Sequence, residues 1–241
     1  MREPFTSARV LIVGMGGLGC PVALALATAG VGTLGLVDDD CVELTNLHRQ
    51  VLFDDSMLGV RKVDAAAPSL ERLGVRAVRH PVRFVPENAI ELLTNYDLIV
   101  DAADNFPTKF LLADVARKCA KPVIHASAER WSGFVFAVAR HGAPCYRCLF
   151  EDIPAGPAPN CNDVGVVGAA LGAIGAVQAD LALRMLAGDA TTAGTFFQFD
   201  GLRLHGRTSR RSGRPDCALC HAGQVSIERA RYVSAEACVL S

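Results

Sequence analysis

The chain has 241 residues, and its 24 lysines and arginines nearly balance 25 acidic residues. That length can bury a sizeable core in one large domain, and the charge balance leaves no basic footprint for nucleic acid or an anionic membrane. Nine cysteines, with no positive n-region or cleavage pattern of a secretory signal, point to a reducing compartment, with the cytoplasm as the expected address.

Val10 to Val13 is a β-branched-rich run suited to a buried parallel strand. Gly14, Gly16 and Gly19 follow in a G-x-G-x-x-G frame, and Pro21 to Ala29 continues as a helix of small and apolar residues. Gly14 permits the tight turn, Gly16 lets backbone approach a phosphate, and Gly19 lets helix and strand pack closely. A second strand, Thr33 to Val37, ends in Asp38-Asp39-Asp40, where a ribose-binding carboxylate is expected. No charged residue falls between Val10 and Val37, as in a membrane span, but glycines and Pro21 break the run into a βαβ pattern. The usual tenant of such a cradle is NAD.

Leu47 to Leu58 reads as loop and short helix, and Gly59 to Asp64 opens another helical segment. A strand at Val75 to Val78, a helix from Pro86 to Leu93 and a strand at Leu98 to Ala102 come next. A helix from Phe106 to Cys119 and a strand from Pro122 to His125 complete the alternation. This pattern predicts an α/β, Rossmann-like fold: a mostly parallel sheet with helices on both faces. Ligands in such sheets sit at the carboxyl ends of the strands, where Asp38, Asp40 and Asp104 all fall.

From Ser132 the character changes, and the chain divides into a nucleotide-binding half, 1–130, and a second half, 131–241, of the same domain. Gly133 to Ala139 reads as a strand before Cys145-x-x-Cys148. Ile153 to Cys161 is a proline- and glycine-rich loop, and Val164 to Ala187 a long buried helix. Antiparallel strands are expected at Thr195 to Phe199 and Leu202 to His205, with Asp200-Gly201 as a hairpin turn. The basic run from Arg207 to Arg214 then leads to Cys217-x-x-Cys220.

The paired knuckles Cys145, Cys148, Cys217 and Cys220 suit a closed tetrahedral zinc site that pins the end of the chain. Redox pairs are the alternative, set aside because neither pair reads as the start of a helix. His221 is expected to be a bystander, and Cys20, Cys41, Cys119 and Cys238 to be packing residues. Arg49 and Lys62 supply fixed positive charge near the phosphates, which phosphoryl or nucleotidyl transfer uses and a dehydrogenase does not obviously need. Asp104 is a natural magnesium ligand. Cys161 stands just before the long helix, where the dipole favours a thiolate; an ordinary turn residue is the competing reading.

Together, Gly14 to Gly19, Asp38 to Asp40, Asn46-Leu47-His48-Arg49-Gln50, Lys62, Asp101 to Asn105, both knuckles and Cys161 resemble the ThiF/MoeB/HesA family, the bacterial relatives of ubiquitin-activating enzymes. The resemblance implies an adenylyltransferase that uses ATP and magnesium to activate the C-terminal glycine carboxylate of a ubiquitin-like sulfur-carrier protein ending in Gly-Gly. It implies that Gly14, Gly16, Gly17 and Gly19 cradle the nucleotide and that Asp38 holds the ribose. Asn46, Arg49, Gln50 and Lys62 would surround the triphosphate, Asp104 would bind magnesium, and Asp40 and Asn105 would join the nucleotide site. Arg49, Lys62 and Asp104 are then the expected catalytic groups, with Cys161 at the position some members use for sulfur transfer. A homodimer is expected, as is a separate sulfur donor such as a cysteine desulfurase or rhodanese. Family members usually carry an arginine motif ahead of the first strand; here only Arg2 precedes Ala8, so weak catalysis or a carrier-binding scaffold is an alternative, alongside an NAD-dependent oxidoreductase.

Overall fold

The first strand shows how the layers form. In the computed structural model, which describes residues 5–154, 165–220 and 226–232, β1 (Arg9–Val13) buries side chains on both of its faces. Val10 and Ile12 join one core cluster and Leu11 and Val13 the other, because successive side chains of a strand point to opposite sides. A strand buried on both faces has no polar alternation, which is why this run reads as continuous hydrophobicity.

Among the described residues, eight strands form one sheet in the order β3-β2-β1-β4-β5-β6-β7-β8. The strands β2 (Thr33–Val37), β3 (Arg76–His80), β4 (Leu98–Asp101) and β5 (Val123–Glu129) run parallel to β1. Antiparallel strands β6 (Ser132–Val138), β7 (Thr195–Asp200) and β8 (His205–Arg210) extend the sheet beyond β5. Helices α1 (Gly19–Thr28), α2 (Lys62–Glu71) and α6 (Gly168–Leu186) supply the core on one face. On the other lie α3 (Pro86–Thr94), α4 (Phe106–Lys118), the short α5 (Tyr146–Leu149) and α7 (Arg229–Tyr232).

Gly14 and Gly19 make the β1–α1 turn possible. Gly14 has φ +97°, and a Cβ on it would stand 2.7 Å from the Ala102 carbonyl oxygen. A Cβ on Gly19 would meet the Gly14 carbonyl oxygen at 1.9 Å, so helix and turn touch backbone to backbone. At the next crossover Asn105 caps α4, its side chain accepting from the Thr108 N–H at 2.9 Å, while Arg117 and Lys118 stand in the last turn.

Three expectations are corrected. The hairpin after β7 is longer than two residues: Asp200 pairs with His205, and its Oδ1 accepts from the backbone of Leu202 and Arg203 at 3.1 and 3.3 Å. That side-chain cap turns the chain early, so Leu202 and Leu204 are exposed turn residues and β8 is the basic run. The long helix begins at Gly168; residues 165–167 lie outside it, with Gly165 at φ +74° and Val166 bridged to Arg130. Cys145 is the N-cap of α5, so one knuckle does start a helix.

Among the described helices α6 is long and apolar enough to cross a membrane. Only one face of it is buried, which further corrects the expectation of a buried helix. Ile174, Gln178 and Ala182 pack against the sheet, Ala176, Asp180 and Arg184 are exposed, and Gln178 hydrogen-bonds the carbonyls of Asp101 and Ile124 at 2.8 Å each.

Candidate active site

The carboxyl ends of β1, β2, β4 and β5 open onto one cavity of about 630 Å3. That volume suits a nucleotide-sized ligand. Gly14, Gly16 and Gly17 line one wall, at the amino end of α1. The nearest atom to a Cβ on Gly16 would be Gln50 Nε2 at 3.8 Å, so that side of the backbone is open to a ligand.

Asp38 stands at the end of β2 with one carboxylate oxygen accepting from the Met15 N–H at 2.7 Å and the other from the Asp40 N–H at 2.9 Å. These bonds fix its carboxylate over the glycine turn. Burial pushes Asp38 above the ordinary carboxylate range, although Lys62 and both N–H donors pull the other way. Lys62, at the start of α2, is 2.7 Å from Asp40 Oδ2 and 3.9 Å from Asp38 Oδ1. Burial opposes its charge, but the two carboxylates outweigh that and raise it above the usual lysine value, so it stays an ammonium.

Arg49, Asn46 and Glu43 form the facing wall. Arg49 Nη2 donates to Asn46 Oδ1 at 2.7 Å, Nη1 to the Thr45 carbonyl at 3.1 Å, and Asn46 Nδ2 to Glu43 at 3.2 Å. A short 3-10 turn, Leu44–Asn46, is what brings these three residues together. Buried Gln50 also lines the cavity and has Oε1 without a partner among the described residues. An orphaned acceptor on the wall suits a ligand that donates.

The β4–α4 loop carries Asp104, exposed at the rim, and Asn105, whose Nδ2 lies 3.4 Å from Asp104 Oδ1. An exposed carboxylate on a cavity wall has the chemistry of a magnesium ligand, since that ion usually keeps water and takes one or two carboxylates beside substrate oxygens. The structure therefore brings every expected nucleotide residue to one cavity except Gly19, which packs behind it. Arg2 and Cys161 lie outside the described residues, as do His221 and Cys238. Cys20 is buried beside the turn, its thiol pushed up to about 12 by burial, whereas Cys41 is exposed rather than packed.

Sequence reading missed Lys109, Glu43, Phe84, Ser127 and Glu129, all of which line the cavity. Ser127 and Glu129 come from the end of β5, beyond the predicted strand end. Lys109 had a signal in the sequence: it is a lysine inside the apolar run of α4, where a cation must find an anion.

The four knuckle cysteines meet on the far face. Sγ separations are 3.8 Å for Cys145–Cys148 and 3.5 Å for both Cys145–Cys217 and Cys148–Cys220, and all four sulfurs lie within 4.8 Å of one another. A tetrahedron with Zn–S bonds of about 2.3 Å has edges of about 3.8 Å, so the sulfur set fits zinc. Four sulfurs in one cluster argue against two separate redox pairs, whatever the helix at Cys145.

The ThiF family profile matches residues 2–220. The adenylyltransferase and sulfurtransferase MOCS3 of Sus scrofa is 45% identical over 219 residues, covering 89% of this chain and 48% of its own length. Its counterpart uba4 of Aspergillus niger is 42% identical over 247 residues, covering 95% of this chain and 51% of its own. The chain thus spans about half the length of these curated relatives. Among solved structures, Escherichia coli MccB superposes with a TM-score of 0.79 at 19% identity over 91% of this chain and 68% of that one. PaaA gives 0.73 at 24% identity over 88% and 67%. At these identities the likeness shows the fold, and it is the α/β sheet described above.

Proposed function

The chain belongs to the ThiF family, and on that premise we propose that it adenylates the C-terminal glycine carboxylate of a small ubiquitin-like carrier protein. The observation that carries this reading is the company around the cavity: a held carboxylate at Asp38, two cations at Lys62 and Arg49, and the exposed Asp104 opposite them. A dinucleotide needs the first of these; a triphosphate uses them all.

The carrier's carboxylate, already ionised at neutral pH, attacks the α-phosphorus of ATP; the bond to the β-phosphate oxygen breaks and pyrophosphate leaves. Lys62 and Arg49 offset the charge that develops on the phosphoryl oxygens and leaving group. Asp38 accepts from the ribose hydroxyls, and the glycine turn offers N–H groups to the phosphates. Magnesium, when bound, would neutralise charge between the phosphates, with Asp104 as its protein ligand and Asn105 beside it. The acyl-adenylate is the activated form that a sulfur donor would convert to a thiocarboxylate, with AMP as the leaving group. A Gly-Gly tail suits the approach past Ser127 and Glu129, since it presents no side chains to the walls. The four-cysteine cluster would hold structural zinc and take no part in the chemistry, its shell being closed by four protein ligands.

ATP–pyrophosphate exchange measured with a panel of Gly-Gly-ended carriers tests this reading. Exchange that depends on the carrier is expected; none with any of them overturns it.

A further inference from the structure

At the cavity wall stands a lysine, Lys109, that the chemistry above leaves without a task. We propose that Lys109 and Asp101 form a positioning unit for loop 102–105, so that this buried ion pair serves the placement of Asp104 more than the stability of the fold. The inference rests on the adenylation reading of the cavity.

Both side chains are buried: Asp101 has no exposure and Lys109 retains 3%. Lys109 Nζ is 3.2 Å from each Asp101 carboxylate oxygen and also donates to the Ala126 carbonyl. One ammonium therefore ties α4, β4 and β5 together. Asp101 Oδ1 accepts in addition from the Ala103 N–H at 3.1 Å, and Oδ2 meets His125 Nδ1 at 2.8 Å. From α6, Gln178 holds the Asp101 carbonyl at 2.8 Å.

Asp101 is the last residue of β4, and the next four residues, Ala102 to Asn105, all line the cavity. The direction in which the chain leaves the strand is thus set by one residue gripped from several sides. That residue's carboxylate also holds the Ala103 N–H, while the Ala102 N–H donates to the Val13 carbonyl at 2.9 Å. The group carries no surplus charge: burial lowers the His125 ring below its ordinary value and keeps it neutral. Burial alone would raise Asp101, but Lys109 and His125 hold it below the usual carboxylate range, leaving a carboxylate paired with an ammonium.

The cost of this arrangement is the reason to assign it a task. Replacing a buried ion pair by apolar side chains of similar volume is often neutral or stabilising by about 1–4 kcal/mol. Lys109 is followed in α4 by Phe110, Leu111, Leu112 and Ala113, all buried, so an apolar residue would suit the same helix. An unpaired Asp101, by contrast, would leave its strand end and Ala103 free to shift. Displacement of a metal-holding carboxylate by about 1 Å is enough to cost about 100-fold in rate.

The test uses the full chain with the double substitution Asp101→Asn/Lys109→Met, which nearly keeps volume and removes both charges, beside Lys109→Arg. The double variant should remain folded and melt close to the unaltered chain, since removing both charges offsets the loss of the bond to the Ala126 carbonyl. Its exchange rate at saturating carrier should fall about 100-fold, with the KM for carrier within about twofold. Calorimetry supplies a readout independent of turnover: the gain in ATP affinity that magnesium brings to the unaltered chain should vanish in the double variant, and Lys109→Arg should recover part of it. Exchange within threefold of the unaltered chain, or an intact magnesium increment, overturns the proposal. So does failure of both variants to fold, since the pair would then serve the fold. Failure of the unaltered chain itself to bind ATP or exchange overturns the underlying reading, and this inference with it.

Discussion

Lys62 and Asp40 are joined twice across 22 residues of sequence: the Lys62 N–H donates to the Asp40 carbonyl at 2.9 Å, and its ammonium lies 2.7 Å from the Asp40 carboxylate. The double link fixes both the start of α2 and the direction of its first side chain. Asp40 is 66% exposed at its side chain, so the ion pair itself adds at most about 1 kcal/mol to stability. Its value lies in placing a buried cation at the cavity. Lys62→Ala should lower exchange by about 100- to 1,000-fold, as loss of a fixed charge-stabilising donor does, and should lower the melting temperature at neutral pH, because it leaves the buried Asp38 carboxylate without its cation. Calorimetric melting and exchange rates on the same sample check both halves.

On the proposed function, Asp38 trades stability for binding. Its carboxyl titrates above its ordinary value because it is buried, so the folded state holds a proton more tightly than the unfolded chain. Its contribution to stability is accordingly greatest below the unfolded value and is lost as pH rises through the folded one. At neutral pH the folded chain carries the cost of a buried carboxylate. Asp38→Asn removes that cost while keeping an acceptor for the Met15 N–H. The variant should melt at or above the parent temperature near pH 7, with the difference shrinking toward pH 4. ATP affinity should drop by about 10- to 100-fold, the worth of a charged hydrogen bond. A variant that binds ATP as the parent does removes Asp38 from the nucleotide site.

The neighbours Asp104 and Asn105 should separate chemistry from structure. Asp104 is exposed, and among the described residues its side chain makes a weak hydrogen bond, 3.4 Å from Asn105. Asp104→Ala should abolish exchange with no change in melting. Asn105 caps α4 through Thr108. Asn105→Ala should therefore cost about 1 kcal/mol of stability, seen as a lower midpoint in urea. Equal effects of the two substitutions on exchange would deny Asp104 its special role.

How much of this was legible in the sequence follows from the range of the forces involved. The glycine turn and the ends of β1, β2 and β4 depend on local backbone geometry, and Gly14 and Asp38 could be read where they stand; sequence reading missed the end of β5 and the Asn105 cap of α4. The cluster of sulfurs could be read because ligand spacing is stereotyped. Lys109 with Asp101 depends on a pairing between a helix and a strand that sequence order does not reveal. The Leu202–Leu204 stretch misled for the opposite reason: its apolar alternation looks like a strand, but the Asp200 side chain captures the backbone first. A carboxylate acting on its own backbone outcompetes a ladder that must be closed from a distance.

The cysteine cluster gives the last prediction. Cys145 is buried at the start of α5 and Cys217 is buried opposite it, so the metal would join two segments 72 residues apart. Between the first pair, Arg147 reaches Asp114 of α4 at 2.7 and 2.8 Å, and Tyr232 of α7 donates to the same carboxylate at 2.6 Å. The knuckle is thus already anchored to α4 by a buried ion pair, and the metal should add a second, independent anchor. Metal analysis of the purified chain should find one zinc per chain. Cys217→Ser or a strong chelator should remove it and lower the melting temperature, while Arg147→Met should retain zinc yet lose about 3–5 kcal/mol, because it strands the Asp114 charge. A metal-free chain in which thiol titration finds Cys145–Cys148 and Cys217–Cys220 disulfides would replace the zinc site with two redox pairs.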